Sequence, residues 1–414
     1  MKMRQVQLGI IGCSGYAYEL IKRIWTIPRN ARIVCVAAID VDPRFTEGNR
    51  STGTQVFTDV DEMLEFAQGR CDAILNPTPI QMHATMAEKC LRAGFPVLME
   101  KPPVATIQSL DRLVGLSKEL NLPIAVCFNS IYSFAVQQLK HELLEGKYGA
   151  IKRIRSIGGW VRTDAYFNRN NWAGKLQVDG AWVLDGTINN PLAHLLADCL
   201  FFAAPEHRQL AVPVSVQAEL YRGHAIESED TASLRIITEQ GIEIVGNFSL
   251  CPEKEITPST VIETEHADIE FIDFAEMRIH HQNGHTVHRE SYKENRIEMF
   301  EHLCQALNEK SDFLCDLEMC RPFTLSVNAA FDSCGPPRKV PEDFLSRKPC
   351  AGSIQTVIEG LDAAMIKAHG EGRLLSEIGV PWATAGTLVD TRSYNEFPGN
   401  AAYRTIEAAS VNHS

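Results

Sequence analysis

Two short stretches carry residue types that do acid–base chemistry. The first is "FPVLMEKPP", residues 95–103, where an apolar strand pattern ends in Glu100 and Lys101 and is stopped by two prolines. A lysine at the mouth of a buried strand is partly desolvated, which lowers its pKa and suits it to proton transfer or carbonyl polarisation. The second is "DGTINNPLAHLLAD", Asp185 to Asp198, with two asparagines and a proline ahead of an apolar run that holds one histidine. Asn190 is a good N-cap and Pro191 a good first helical residue. A helix from there places Asn190, His194 and Asp198 on one face, and Leu192, Leu195, Leu196 and Cys199 on the other. His194 then lies one turn into the helix, where the N-terminal dipole disfavours an imidazolium and keeps the ring neutral and competent as a base. On composition alone, a histidine buried against neighbouring strands accounts for the stretch equally well.

The elements that must position Lys101 alternate. "VQLGII", "RIVCVAAI", "DAILNP" and "PVLME" read as strands, with helices over Tyr16 to Trp25, Asp59 to Ala67 and Thr85 to Ala93. Units of this kind predict a parallel, doubly wound sheet, whose ligands bind at the carboxyl ends of the strands. Those ends are Gly12, Asp40, Asn76 and Glu100. In the first turn, "GIIGCSGYA", the dinucleotide fingerprint falls on Gly12, Ser14 and Ala17, so its middle glycine is missing. Gly15 beside it restores the close backbone approach that a pyrophosphate needs at a helix N-terminus, and Cys13 and Tyr16 complete the turn. Asp40 ends the second strand, where a carboxylate accepts from ribose hydroxyls and repels a 2′-phosphate. That favours NAD, with NADP as the alternative. In "NPTPIQMH" two prolines forbid helix and shape a loop that carries Thr78 and His83.

Composition bounds the rest. The chain has 414 residues, 45% hydrophobic and 22% charged, which suits a two-domain globular protein with an appendage. A formal net charge of −12 leaves no basic stripe for nucleic acid. The 12 cysteines sit mostly inside apolar runs without C-x-x-C or zinc spacing, so they read as buried thiols, and no metal site is expected. No signal-peptide h-region and no membrane-length apolar run is found, so the expectation is a cytoplasmic protein without a membrane partner.

The order of these pieces resembles the Gfo/Idh/MocA family, the glucose–fructose oxidoreductase and inositol dehydrogenase relatives. The matching residues are "GIIGCSGYA", "AAIDVDP", "DAILNPTPIQMHATMAEKCLRAGFPVLMEKPP" and "YFNRNNWAGK", and the likeness covers roughly residues 5 to 330. It implies an N-terminal Rossmann domain (1–128) and an α/β domain with an open mixed, mainly antiparallel sheet (129–335). A C-terminal helical extension and tail would follow (336–414), the last 20 residues reading as an arm or a frayed end. It further implies an NAD(P)-dependent dehydrogenase acting on a sugar, cyclitol or related polyol, assembled as a homo-oligomer, a dimer or a tetramer, through the open sheet. Carried over, Lys101 contacts the reacting hydroxyl or carbonyl, and Pro102 follows in a bend that is often cis. Asn76, Thr78, His83, Glu100 and Lys101 join the first turn and Asp40 as cofactor contacts. Tyr166, Arg169 and Trp172 line a sugar-sized pocket.

Relatives carry an Asp-x-x-x-His pair, base and supporting acid, where "DGTINNPLAH" stands. Counting without gaps from "NWAGK" places the pair on Asp185 and Asn189. Counting back from "CLFFAA" places it on Asn190 and His194. The second register, with Asp185, Asn189 and Asn190 around the site, keeps His194 as the base. Two other readings stand beside the dehydrogenase: an NAD-dependent redox glycosidase, and a non-catalytic dinucleotide and sugar sensor.

Overall fold

A computed structural model describes residues 4–26, 30–38, 42–50, 52–282, 284–290 and 295–403. The chain divides into two compact units. One comprises Met1–Val104, Ser109–Phe134 and Glu294–Cys320, and the other comprises Ala105–Gln108, Ala135–Lys293 and Arg321–Ser414.

The first unit is a six-stranded parallel sheet. Its strands are β1 (Val6–Ile11), β2 (Ala31–Ala37), β3 (Gln55–Phe57), β4 (Ala73–Asn76), β5 (Val97–Met99) and β6 (Ile124–Val126), in the order β3-β2-β1-β4-β5-β6. β4, β5 and β6 are buried throughout, because a parallel sheet is covered on both faces and its strands read as continuous apolar runs. The helices are α1 (Gly15–Thr26), α2 (Pro43–Asn49), α3 (Val60–Ala67), α4 (Ile80–Arg92) and α5 (Ile107–Leu120). α1 buries Ala17, Leu20, Ile21 and Ile24, the 3–4 spacing of one helical face. α3 begins where Asp59 accepts from the backbone N–H groups of Asp61 and Glu62. The helix Asn295–Glu309, far along the chain, belongs to this unit.

The second unit is built on a ten-stranded mixed sheet. After α6 (Phe134–Leu144) come β7 (Ile151–Gly159), α7 (Asp164–Phe167), the short hairpin β8 (Gln177–Val178) and β9 (Ala181–Trp182), and α8 (Ala193–Ala203). Then follow β10 (Pro213–Arg222), β11 (Thr231–Thr238), β12 (Glu243–Ser249), β13 (Ile256–Thr264), β14 (Ala267–Ile272), β15 (Glu276–His281) and β16 (Thr286–Glu290). The order is β16-β15-β14-β13-β7-β12-β11-β10, extended beside β10 by Arg338–Lys339 and Val389–Asp390. Only β12 on β7 and Arg338–Lys339 on β10 are parallel, so the sheet is mainly antiparallel as expected.

α8 packs on one face of this sheet. Gly158 of β7 leaves no room for a side chain there, since a β-carbon would stand 2.7 Å from Leu195. At the far end of α8, the buried Lys140 ammonium donates to the carbonyls of Phe201 (2.7 Å) and Ala204, with the Phe201 ring 5.2 Å away. A cation there satisfies the last-turn carbonyls and the dipole. The opposite face is covered by the C-terminal segment, which is not purely helical: "SIQTVI" has no helical period and pairs as a strand with Leu345–Cys350. The helix Leu361–Glu371 follows, and Leu361, Met365, Ala368 and Leu375 bury themselves with Ile157, Tyr221 and Cys251. As far as Tyr403 the expected arm is corrected, since the Phe397 and Tyr403 rings are buried against Trp182 and the Tyr403 hydroxyl donates to Gly335 O; residues 404–414 lie outside the described residues. Among the described residues no helix is long and apolar enough to cross a membrane.

Candidate active site

In the parallel-sheet unit, Gly12 has φ 101° and its N–H bonds Ala37 O at 2.7 Å, while Gly15 opens α1 with φ 55°. Both conformations favour glycine. Cys13 and Ala17 are buried beneath the turn, and Ser14, Gly15 and Tyr16 are exposed at the helix N-terminus. This leaves open backbone there for a phosphate group. The Tyr16 hydroxyl accepts from Arg296 Nε at 3.1 Å. Asp40 lies outside the described residues. Asp42, two residues on, caps α2 and pairs with Arg44 at 2.7 Å.

The ends of β4 and β5 are tied together by buried polar groups. Asn76 accepts from Thr78 Oγ1 (2.7 Å) and donates to His83 O (3.1 Å), and its own carbonyl accepts from Glu100 N (3.1 Å). The buried His83 ring has Nδ1 at 2.9 Å from Pro102 O and 3.1 Å from Pro103 O, and Nε2 at 2.7 Å from Thr78 O. His83 therefore holds the turn after Lys101 to the loop after β4. Lys101 is half-buried, its peptide bond to Pro102 is cis, and its N–H donates to Glu100 Oε2 at 3.1 Å. Burial lifts the Glu100 carboxyl to about 7, against the pull of the Lys101 and Arg296 charges.

In the mixed-sheet unit, the expected helix start is corrected. α8 begins at Ala193, not Pro191: no side chain caps it, and the Asn190 side chain is turned to Asp185, its NH2 donating to Oδ1 at 2.6 Å. The chain before it is wound into wider turns, with Asn190 N on Gly186 O and Leu192 N on Thr187 O. Nor is α8 two-faced: every residue from Leu195 to Ala203, Asp198 included, is buried. Asn189 is buried and spends its amide on the carbonyls of Val183 and Leu184. Asp185 is buried, with Oδ2 accepting from Gly174 N at 2.8 Å. His194 sits half-buried in the first turn of α8, its ring edge-on to Phe274 at 6.0 Å.

Tyr166, Arg169 and Trp172 do come together. The Arg169 guanidinium lies 3.7 Å from the Tyr166 ring centroid and 5.2 Å from that of Trp172. Sequence reasoning missed three charged residues: Arg162, which stacks on Tyr166 from the other side in sequence; Arg296; and Glu229. The fully buried Glu229 accepts from Ile188 N (3.1 Å) and Ser228 Oγ (2.8 Å) beneath the Asp185–Asn190 loop. One group of metal-ligand types, His224, Asp230 and Cys251, is buried together, but its atoms serve one another: Asp230 accepts from Gly223 N, His224 N and His224 Nδ1.

A parallel sheet with a glycine turn and a lysine at a strand end, followed by a mixed sheet, defines the architecture of the Gfo/Idh/MocA oxidoreductases. Residues 6–128 match the profile of that family described as "Oxidoreductase family, NAD-binding Rossmann fold". The chain is 26% identical over 155 residues to an inositol 2-dehydrogenase of Corynebacterium glutamicum, covering 37% of this chain and 45% of that protein. It is 27% identical over 159 residues to a dTDP-3,4-didehydro-2,6-dideoxy-alpha-D-glucose 3-reductase of Streptomyces violaceoruber, covering 37% and 44%. These matches span less than half the length of either relative. The fold is shared with the WlbA dehydrogenase of Bordetella pertussis, solved with NADH and UDP-GlcNAcA, at TM-score 0.65 and 20% identity over 79% of this chain and 96% of that one.

Proposed function

We propose that this protein is an NAD-dependent oxidoreductase acting on a hydroxyl of a sugar, cyclitol or related polyol, with NADP as the alternative cofactor. The observation that carries the reading is Lys101, half-buried at the end of β5 in a turn held by His83 and Glu100. Inositol 2-dehydrogenase and sugar 3-reductase activities in proteins similar to this chain support the substrate class.

The residues present suit a dinucleotide. The left-handed Gly12 and Gly15 let a pyrophosphate approach the α1 N-terminus, Asp40 takes the ribose hydroxyls, and Asn76, Thr78 and Glu100 shape the wall near Lys101. NAD, when bound, supplies the hydride acceptor. Lys101 donates an N–H to the reacting oxygen and orients it. His194 takes the hydroxyl proton on its imidazole, and the Asp185–Asn190 loop fixes the start of its helix. Asn189, with its amide committed to Val183 and Leu184, holds the loop and takes no proton.

The test is Lys101→Ala. Turnover should be lost while NAD still quenches protein fluorescence with its original affinity. Full turnover in that variant would sink the reading. His194→Gln separates the two registers, since a retained kcat removes His194 from the proton's path.

A further inference from the structure

Five residues of the segment that leads to Asp185 form an alternating stack of aromatic rings and guanidinium groups. Arg162 lies 5.2 Å from the Trp160 ring centroid and 5.1 Å from that of Tyr166. Arg169 lies 3.7 Å from Tyr166 and 5.2 Å from Trp172. One tyrosine ring thus carries two cations.

Several other arginines of this unit are neutralised, Arg153 and Arg155 by Glu263, Arg235 by Glu377 and Arg289 by Glu142, while Arg222 and Arg338 donate to main-chain carbonyls. Arg162 and Arg169 make no ion pair among the described residues, and they donate only to the carbonyls of Val161 and Tyr166 and towards the Tyr166 hydroxyl. The Nε of Arg162 is buried without a hydrogen-bond partner. In a chain of net charge −12, two guanidinium groups on one ring repel each other, and their stacking and the bonds to the Val161 and Tyr166 carbonyls hold them in place. The main chain at Arg162 is pinned as well, because its carbonyl meets His224 Nε2 at 3.2 Å and its N–H meets Leu250 O. An oxyanion would relieve the repulsion and fill the planar donor forks that carboxylates and phosphates match.

The stack adjoins the candidate site within the same unit. Gly174 N donates to Asp185 Oδ2, and Asp185 N donates to Lys175 O at 2.9 Å. Among the acids of this region, Asp185 is buried and bonded to Gly174 and Asn190, and Glu255 accepts from Val161 N at 3.0 Å; neither forms an ion pair with Arg162 or Arg169 among the described residues.

We infer that Arg162 and Arg169 recognise an oxyanion on the substrate, which makes the substrate a sugar or polyol bearing a carboxylate or a phosphate rather than a neutral one. The inference rests on the reading of this region as the substrate site, and the test separates the two. Calorimetry on the full chain with NAD present would compare gluconate, glucuronate and glucose 6-phosphate with glucose and myo-inositol. Tighter binding of one anionic class, by about tenfold or more, is the expected result, and the sugar acids against the phosphate identify which oxyanion is meant. Arg169→Gln, at an exposed position where folding is not at risk, should remove that preference, and Arg162→Gln should do the same. Equal or tighter binding of the neutral compounds, or an anion preference that survives both substitutions, overturns the inference. A sugar acid that binds through the arginines but is never oxidised strikes the oxidoreductase reading alone.

Discussion

Gly186 rests directly against the carboxylate of Glu229: a β-carbon at Gly186 would stand 1.7 Å from Oε2. The loop that leads to His194 is thus laid on a buried acid, which also accepts from Ile188 N and whose main-chain carbonyl accepts from Thr187 N. Gly186→Ala must push the loop off this support. The expected cost is about 3 kcal/mol of overpacking strain, read as a lower midpoint in urea, together with loss of turnover. NAD affinity, which belongs to the other unit, should not change. A variant as stable and active as the parent would show that the loop moves freely and that the contact positions nothing.

The same acid predicts how stability depends on pH. Burial lifts the Glu229 carboxyl to about 8, with Asp185 adding to the rise against the bonds from Ile188 and Ser228. The folded chain therefore keeps a proton that the unfolded chain gives up near 4.5. The stabilisation is complete below that value and disappears as pH rises through about 8. Glu100, lifted to about 7, acts in the same direction. Thermal midpoints of Glu229→Gln and the parent should be similar near pH 5 and diverge in favour of the glutamine towards pH 9. A constant difference over that range would mean that the group is ionised throughout.

His83 was expected among the cofactor contacts, yet all three of its carbonyl partners belong to the protein: Thr78, Pro102 and Pro103. Burial favours the neutral ring, which has one N–H to donate; replacing it with leucine removes that donor and the packing of the ring between the two loops, at about 1–3 kcal/mol for a carbonyl stranded in the interior. His83→Leu should lower kcat more than it weakens NAD binding, because the turn it releases carries Lys101. Weakened NAD binding with unchanged kcat would return His83 to the cofactor.

Met365, fully buried under the covered sheet face, offers a control remote from the chemistry. Met365→Ala should cost about 2–5 kcal/mol in denaturant unfolding and leave kcat unchanged at temperatures where the fold persists. A selective fall in kcat would reveal coupling between this face and the site.

Much of the parallel sheet could be read directly, since doubly covered strands are short apolar runs and their ends announce themselves by Gly12, Asn76 and Lys101. The start of α8 could not. Asn190 and Pro191 have the local chemistry of a helix cap, but Asp185 claims the asparagine side chain, and that bond exists only once the loop has folded back. Glu229 and Arg296 were invisible for a related reason. Their partners are Ile188 and Tyr16, 41 and 280 residues away, and no local pattern distinguishes them from other charged residues. Arg162 was within reach, because it stands in "IKRIRSIGGWVRT", just past a strand-like alternation and seven residues before Arg169. The alternation with Trp160, Tyr166 and Trp172 was the available signal.

The C-terminal cover on the mixed sheet also has a consequence for synthesis. Ile157, Tyr221 and Cys251 are made early, whereas Leu361, Met365, Ala368 and Leu375, which seal them, leave the ribosome more than a hundred residues later. Until then the nascent sheet presents a greasy, unpartnered surface of the sort that chaperones hold and neighbouring chains stick to. Yield in the cell should therefore hinge on completion of the segment from Leu361 to Leu375, and a ribosome stalled short of residue 375 would release a chain whose parallel-sheet unit is finished and whose mixed-sheet unit is prone to clump.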